Sequence, residues 1–384
     1  MHTKKLKVLQ LGKQYYPHIG GIEATMQQIA EGIQGQVDSY VLASQEKGNG
    51  YAKVINGVPV YYAKSHGVIA SLPISFDLVW YLCKHANEYD VIHLHMPFPL
   101  GDLACLLSGF KGKIVLYWHS DIVRQKKAMI FYKPLMKWML KRADAITIAT
   151  QGNIDGSPYV KPYENKCVLI PFGLRKEWEE KSDIYWAQKE TESPKKDLNL
   201  LFIGRLVYYK GCDILVSAFA KLKKELPEEK LARIQLRIIG TGVLEDQLKQ
   251  MVKTEKLENQ IHFLGRISDA EMEDEIKNSD VFVFPSVANS EAFGLVQLET
   301  MAYGKPVINT SLPTGVPWVS LHEQTGLTVS PNDISALKNA ILWMLDNPDE
   351  RYVMGERARK RVKEEFSQKQ MIEKLVDLYE ELCK

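Results

Sequence analysis

Along the chain, short runs of β-branched and aliphatic residues alternate with longer stretches in which apolar positions recur every third or fourth residue. The first kind reads as strand and the second as amphipathic helix, and their alternation predicts βαβ units whose parallel sheets are buried on both faces. In the first half, strands are expected at Leu6–Leu11, Ser39–Ala43, Pro59–Ala63, Asp90–His95, Lys113–His119, Ala145–Thr150 and Val168–Pro171. The second half repeats the pattern at Leu198–Ile203, Ile234–Ile239, Ile261–Leu264, Val281–Pro285, Pro306–Thr310 and Gly326–Val329. A charged, strand-poor stretch containing Ser193-Pro194 separates the halves. It predicts a domain over residues 1–180, a linker over 181–197 and a second domain over 198–365. From Asp333 onward the pattern is helical only, and a last helix over 366–384 is expected to cross back onto the first domain. The fold class is therefore α/β, with two Rossmann-like doubly wound parallel-sheet domains. Ligands of such sheets bind beyond the carboxyl ends of the strands, so two domains facing across a cleft would trap a ligand between them.

Size fits this division, because 384 residues with 45 % hydrophobic content exceed what one core usually serves. A formal net charge of only +2 argues against a whole-protein grip on nucleic acid. That charge is unevenly placed: residues 1–175 hold 20 Lys and Arg against 12 Asp and Glu, so the first half is basic and the remainder acidic. Cys83, Cys105, Cys167, Cys212 and Cys383 lack ligand or disulfide spacing, which predicts no zinc site and a reducing cytoplasm. The start from Lys4 to Leu11 reads as a buried strand rather than a signal peptide, since Gln10 and Lys13 interrupt it. No run approaches the roughly 18 to 20 apolar residues of a membrane-spanning helix, so a soluble or peripheral protein is expected.

The first strand leads through Gly12 to Gly20-Gly21-Ile22-Glu23, where a helix is expected from Ile22. This spacing is not G-x-G-x-x-G, which disfavours nicotinamide-dependent and epimerase-type enzymes. Adjacent glycines ahead of a helix fit either a plain turn or a close backbone approach to phosphate. In the second half, Leu200–Ile203 runs into Gly204-Arg205 and on to Lys210-Gly211. Two cations at a strand's carboxyl end are either a solvated pair or a diphosphate clamp. In the clamp, Arg205 forks across two oxygens and Lys210 acts as a point charge, without a divalent metal.

The segment from Phe284 to Glu299 ends a strand at Pro285-Ser286, crosses a polar loop and is expected to start a helix near Phe293. On a helix spanning both, Glu291 and Glu299 would lie about 80° apart around the axis and roughly 12 Å apart along it. That is too far for a glycosidase pair, and it suits one carboxylate at each end of an extended ligand. Glu291 would meet sugar hydroxyls and Glu299 a ribose, with the N–H groups of Phe293, Gly294 and Leu295 toward the phosphate between them. A first-turn acid and an exposed helix residue are the alternative reading of the same two glutamates.

Together, Gly20-Gly21-Ile22-Glu23, Gly204-Arg205 through Lys210-Gly211, Phe284-Pro285-Ser286 and the E-x7-E pair Glu291–Glu299 resemble the family 4 retaining glycosyltransferases of the GT-B fold. The resemblance runs in order across both domains. It implies that Gly20 and Gly21 contact the donor phosphates, Arg205 and Lys210 hold the diphosphate, Glu291 holds the sugar and Glu299 the ribose. Phe263-Leu264-Gly265-Arg266-Ile267 is similar to the family's base-binding loop, with the backbone around Ile267 reading the nucleobase. Trp118-His119-Ser120-Asp121 resembles its catalytic loop, which implies a His119 contact to the donor sugar, whereas His93 and His95 read as strand residues. Ile170-Pro171-Phe172-Gly173-Leu174 looks like the turn before the family's hinge, but Arg175 stands where an acid or amide is usual.

By the same resemblance the donor is a UDP- or GDP-sugar, used without cofactor or metal, and the leaving phosphate accepts the acceptor's proton in a front-face reaction. The acceptor is a glycan, lipid-linked, in bacterial-type surface polysaccharide assembly. A non-catalytic sugar-nucleotide-binding or scaffolding subunit of the same fold is the alternative, opposed by the intact Glu291, Glu299, Arg205 and Lys210. The stretch Arg124 to Arg142 adds seven Lys or Arg and no acid, interleaved with Met129, Ile130, Phe131, Tyr132, Leu135, Met136, Trp138, Met139 and Leu140. Such a segment is either a core helix with solvated lysines or a surface for an anionic membrane on the cytoplasmic side.

Overall fold

A strand covered on both faces must be apolar at nearly every position, and the central strands of this chain meet that condition. A computed structural model describes residues 5–18, 20–69, 72–122, 126–188 and 196–384. The chain divides into two units, residues 1–173 with 368–384, and residues 174–367.

In the first unit, β1 (Lys7–Gly12), β2 (Asp38–Ser44), β3 (Tyr51–Ile55), β4 (Val58–Ala63), the small hairpin of β5 (Val68–Ile69) and β6 (Leu72–Pro73), β7 (Val91–Met96), β8 (Lys113–Trp118), β9 (Ala145–Ile148) and β10 (Cys167–Leu169) alternate with helices. The helices are α1 (Gly21–Ile33), α2 (Phe76–His85), α3 (Pro99–Ser108), α4 (Lys126–Arg142) and α5 (Gln151–Asp155). Eight strands form one sheet in the order β10-β9-β8-β7-β1-β2-β4-β3, parallel except where β3 folds antiparallel onto β4. The connection β3–β4 turns on Asn56 and Gly57, at φ +46° and +82°, the conformation a two-residue hairpin demands. The strand reading omitted β3 although this Asn-Gly signal stands beside it, because Lys53 interrupts a short stretch whose side chains are mostly exposed.

In the second unit, β11 (Leu198–Ile203), β12 (Ile234–Ile239), β13 (Ile261–Gly265), β14 (Val281–Val283), β15 (Val307–Thr310) and β16 (Gly326–Val329) form one parallel sheet in the order β13-β12-β11-β14-β15-β16. Around it lie α6 (Lys176–Gln188), α7 (Cys212–Glu225), α8 (Glu228–Ala232), α9 (Glu245–Thr254), α10 (Asp269–Asn278), α11 (Leu295–Ala302), α12 (Val316–Val319), α13 (Ile334–Asp346) and α14 (Pro348–Glu365). Strand order reverses between β11 and β14. That is the switch point of a doubly wound sheet, where neighbouring loops diverge and leave a crevice.

The boundary drawn between the halves changes. The second unit begins at Leu174, and α6 occupies the expected linker 181–197 as far as Gln188, while Ser193-Pro194 lies outside the described residues. Charge hid this helix, because its acids and bases are spaced as i,i+4 pairs, Lys176–Glu180 and Glu177–Lys181, around a buried Trp178. The last helix, α15 (Gln368–Cys383), belongs to the first unit, where it packs on α1 and buries Met371, Ile372, Leu375 and Tyr379.

Candidate active site

The switch point of the second unit collects three of the residues singled out above. The loop after β11 carries Arg205, then a tight turn over Tyr208–Lys210, and reaches α7 through Gly211 at φ +67°. The loop after β14 carries Glu291 and reaches α11 through Gly294 at φ +81°. Backbone locks the two loops together. Val287 N–H donates to the Tyr209 carbonyl at 2.9 Å, and a Cβ on Gly211 would stand 2.0 Å from the Pro285 oxygen.

Lys210 Nζ lies 2.5 Å from Glu291 Oε2, an ion pair rather than an aligned hydrogen bond, with both side chains largely buried. The Lys210 ammonium also stands 4.8 Å from the centre of the Phe284 ring, and it flanks Tyr209 together with the Arg205 guanidinium, each 5.8 Å from that ring. Arg205 itself is exposed and donates to the Tyr209 hydroxyl. The result is a largely buried ammonium beside an exposed guanidinium. This pairing suits a ligand with two adjacent negative groups.

Glu291 sits in the loop, not on a helix. The helix expected near Phe293 starts at Leu295, since Gly294 adopts a left-handed conformation that stops a helix from continuing backward. The 80° and 12 Å relation between Glu291 and Glu299 therefore does not apply. Phe293 and Gly294 lie ahead of the first turn, and the Gln297 N–H already bonds the Gly294 carbonyl at 2.9 Å. A buried amide network holds this loop: Gln297 Nε2 donates to the Phe293 carbonyl, and Asn309 Nδ2 donates to Gln297 Oε1 and to the carbonyls of Val316 and Ser320. Neither Gln297 nor Asn309 was singled out from sequence, where polar residues in apolar runs are the one available sign.

Glu299 faces Arg175, whose Nη2 lies 3.3 Å from Oε1. Burial pushes the Glu299 carboxyl above the usual carboxylate range, and the guanidinium pulls against that shift. The departure at Arg175 thus has a structural partner that sequence reasoning left without one. Ile267, half-buried, follows β13 just ahead of the Ser268–Glu271 capping box that opens α10. The carboxyl edge of this sheet therefore presents Ile267, the two cations and Glu291 in the spatial order β13, β11, β14.

In the first unit, Gly20 caps α1, and the side chain of Glu23 fills the space a Cβ on Gly20 would need, 2.2 Å away, whereas nothing lies within 4 Å of the same position on Gly21. His119 follows β8 and is buried against Tyr117 and Phe172. Its Nε2 lies 2.9 Å from His95 Nδ1, so His95 is more than the strand residue expected. Among the described residues, no group of His, Cys, Asp and Glu is arranged to hold a metal ion.

Models of known families match both halves, "Glycosyltransferase Family 4" over residues 19–152 and "Glycosyl transferases group 1" over residues 186–361. O-antigen chain mannosyltransferase C of Escherichia coli is 31% identical over 382 residues, 97% of this chain and 98% of that protein. The chain belongs to the family 4 glycosyltransferases of the GT-B fold. This glycosyltransferase is also 31% identical to the D-rhamnosyltransferase WbpZ of Pseudomonas aeruginosa, over 94% of its length and 92% of the relative's. The fold of Anabaena HepE, crystallised in complex with UDP, matches the glycosyltransferase with a TM-score of 0.72 at 18% identity, covering 98% of this chain and 100% of that one.

Proposed function

We propose that the enzyme transfers a hexose or N-acetylhexosamine from a UDP- or GDP-sugar, with retention of configuration, to a lipid-linked glycan acceptor in surface polysaccharide assembly. The observation that carries this reading is the Lys210–Glu291 ion pair at the switch point, with Arg205 beside it. A diphosphate leaving group gains negative charge as the sugar departs, and a preorganised ammonium and guanidinium stabilise that charge where it develops. Glu291 accepts hydrogen bonds from sugar hydroxyls while its charge keeps the ammonium in place. Glu299 takes the ribose hydroxyls, Ile267 reads the base through its backbone, Gly20 and Gly21 and the first-turn amides at Leu295 approach the phosphates, and His119 contacts the sugar. In the transfer step, the acceptor oxygen bonds C1 on the face the phosphate leaves, the C1–O bond to phosphate breaks, and the acceptor's proton passes to the departing phosphate oxygen. No protein base is required. The names of the mannosyl- and rhamnosyltransferase relatives support the sugar class and the pathway, and the UDP held by HepE supports a nucleotide diphosphate.

A panel of nucleotides and nucleotide sugars tests this. UDP or GDP, with its sugars, is expected to raise the melting temperature, because a ligand at about 100 times its Kd adds about 2.7 kcal/mol to the folded state. Slow hydrolysis of one sugar of that base should follow, with retained anomeric configuration by NMR and no loss in EDTA. Stabilisation without hydrolysis or transfer to any glycan would mark a non-catalytic binding subunit instead.

Docking to an anionic membrane beside a lipid-linked acceptor is assigned to α4. Met129, Tyr132, Met136, Met139 and Leu140 are buried, so one face is core, and Arg142 pairs with Asp144. The other face presents Lys133, Lys137 and Lys141, with Ile130 exposed and Phe131 86% exposed at its start, beside the exposed Leu103, Leu106 and Leu107 of α3. Arg124 lies outside the described residues, and no helix among them is long and apolar enough to cross a membrane. Cations at headgroup level with apolar side chains at the interface bind anionic leaflets. Flotation with anionic vesicles and not with neutral ones is expected, lost on I130S/F131S; failure to float with either would remove the membrane from this reading.

A further inference from the structure

Beyond Lys7 at its start, the apolar strand β1 holds one polar residue, Gln10, and it is wholly buried. Beside it on β7, at positions two apart and so on one face of the sheet, stand His93 and His95, also buried. Four hydrogen bonds connect these residues to the end of β8 and to α15. Tyr379 Oη lies 2.6 Å from His93 Nδ1; Gln10 Nε2 donates to Tyr379 Oη at 3.5 Å; Gln10 Oε1 lies 3.0 Å from His95 Nε2; and His95 Nδ1 lies 2.9 Å from His119 Nε2. Aromatic rings hold the imidazoles in place, with Tyr117 stacked on both His95 and His119 and Phe172 on His119.

The direction of these bonds follows from the donor and acceptor inventory. A carboxamide oxygen only accepts, so with Gln10 Oε1 turned toward it, His95 Nε2 must carry the hydrogen. Burial drives the imidazoles of His93 and His119 down to about 3 and that of His95 well below its usual value, so each ring is neutral at physiological pH. A neutral imidazole with hydrogen on Nε2 has a bare Nδ1. His95 Nδ1 therefore accepts from His119 Nε2–H, and His119 Nδ1 is left as a lone pair, bonded by nothing among the described residues.

We infer that Gln10 and His95 are positioning residues that fix the tautomer of His119, so that it meets the donor's sugar as a neutral hydrogen-bond acceptor through Nδ1. The inference rests on the reading of His119 as a sugar contact. It specifies more than that reading does, because a ring of undefined tautomer would spend part of its time offering a donor to the same hydroxyl. Outer groups that orient a metal-ligating imidazole change affinity or activity by about 10- to 100-fold when removed, and the lower end of that range is expected where the imidazole meets a sugar.

Nitrogen-15 NMR of the imidazoles, with transfer kinetics of three proteins, tests it. In the wild type, His119 Nδ1 is expected to show the shift of an unprotonated nitrogen and Nε2 that of a protonated one, unchanged down to pH 5. His95→Phe should lose that fixed pattern and raise KM for the nucleotide sugar about 10-fold, with Kd for the free nucleotide unchanged. His119→Ala should lose more. A protonated Nδ1 in the wild type overturns the inference without any variant. Wild-type tautomer and KM in His95→Phe, with transfer lost in His119→Ala, overturns it while leaving His119 as a sugar contact. Full transfer in His119→Ala removes the reading beneath it.

Discussion

Lys210→Ala is expected to reduce transfer about 100- to 1,000-fold, the range found when one preorganised donor to a developing anion is removed. Arg205 cannot substitute for it, since it is exposed and its guanidinium donates to the Tyr209 hydroxyl, whereas the Lys210 ammonium is held by Glu291 and the Phe284 ring. On the proposed reading, donor binding should weaken for every base and sugar, because the lost charge would face the diphosphate they share. Glu291→Ala removes the other half of the pair and should lose transfer with the fold retained. It leaves a buried ammonium unpaired, a cost that donor phosphate can relieve, so free nucleotide should bind it better than it binds Lys210→Ala. Steady-state transfer and nucleotide titration on both variants check this, and wild-type turnover in either would refute the assignment.

The second large effect is on stability. Gly211→Ala meets two obstacles at once: a φ of +67°, which an L side chain rarely adopts, and a Pro285 carbonyl oxygen 2.0 Å from the new Cβ. Backbone cannot retreat as a side chain would, so the loops after β11 and β14 must part. A loss of about 3 kcal/mol is expected, at the upper end for a single strained residue, which lowers the melting temperature of a unit this size by about 6 to 12 °C. Lys210 and Glu291 would separate with the loops, so transfer should fall with stability. Gly21→Ala is the control, because nothing lies within 4 Å of its Cβ position and its φ is not left-handed; its melting temperature should stay at the wild-type value. Equal melting temperatures for the two variants would show that the loop contact does not constrain the fold.

The parallel strands were legible because burial on both faces forces apolar runs, and Leu198–Ile203 and Ile234–Ile239 fall where the runs stand. The edge strand Tyr51–Ile55 and α6 were not, since Lys53 breaks the short apolar stretch of the strand and a helix rich in paired charges imitates a linker. At the site, the chemistry of Arg205, Lys210 and Glu291 was visible, but their proximity depends on strand order, which a linear reading does not contain. The reverse held for Glu291 and Glu299, where linear spacing suggested a shared helix that one left-handed glycine prevents. Gln10, His95 and Arg175 escaped for a common reason. Each acts through a partner distant in sequence, at 85 positions for Gln10 and His95 and 124 for Arg175 and Glu299.

Because residues 368–384 belong to the first unit, the order of synthesis and the order of completion differ. When residue 367 is added, every residue of the second unit has been synthesised while the first still lacks the helix that buries Leu375 and brings Tyr379 to His93. Domains otherwise tend to fold from the amino terminus as they emerge. Here the strands of the first unit must wait, with part of their apolar surface uncovered, until the final helix is made. A chain that ends at residue 367 thus holds every residue of one unit and leaves the other open, a substrate for chaperones and proteases rather than a partly active enzyme.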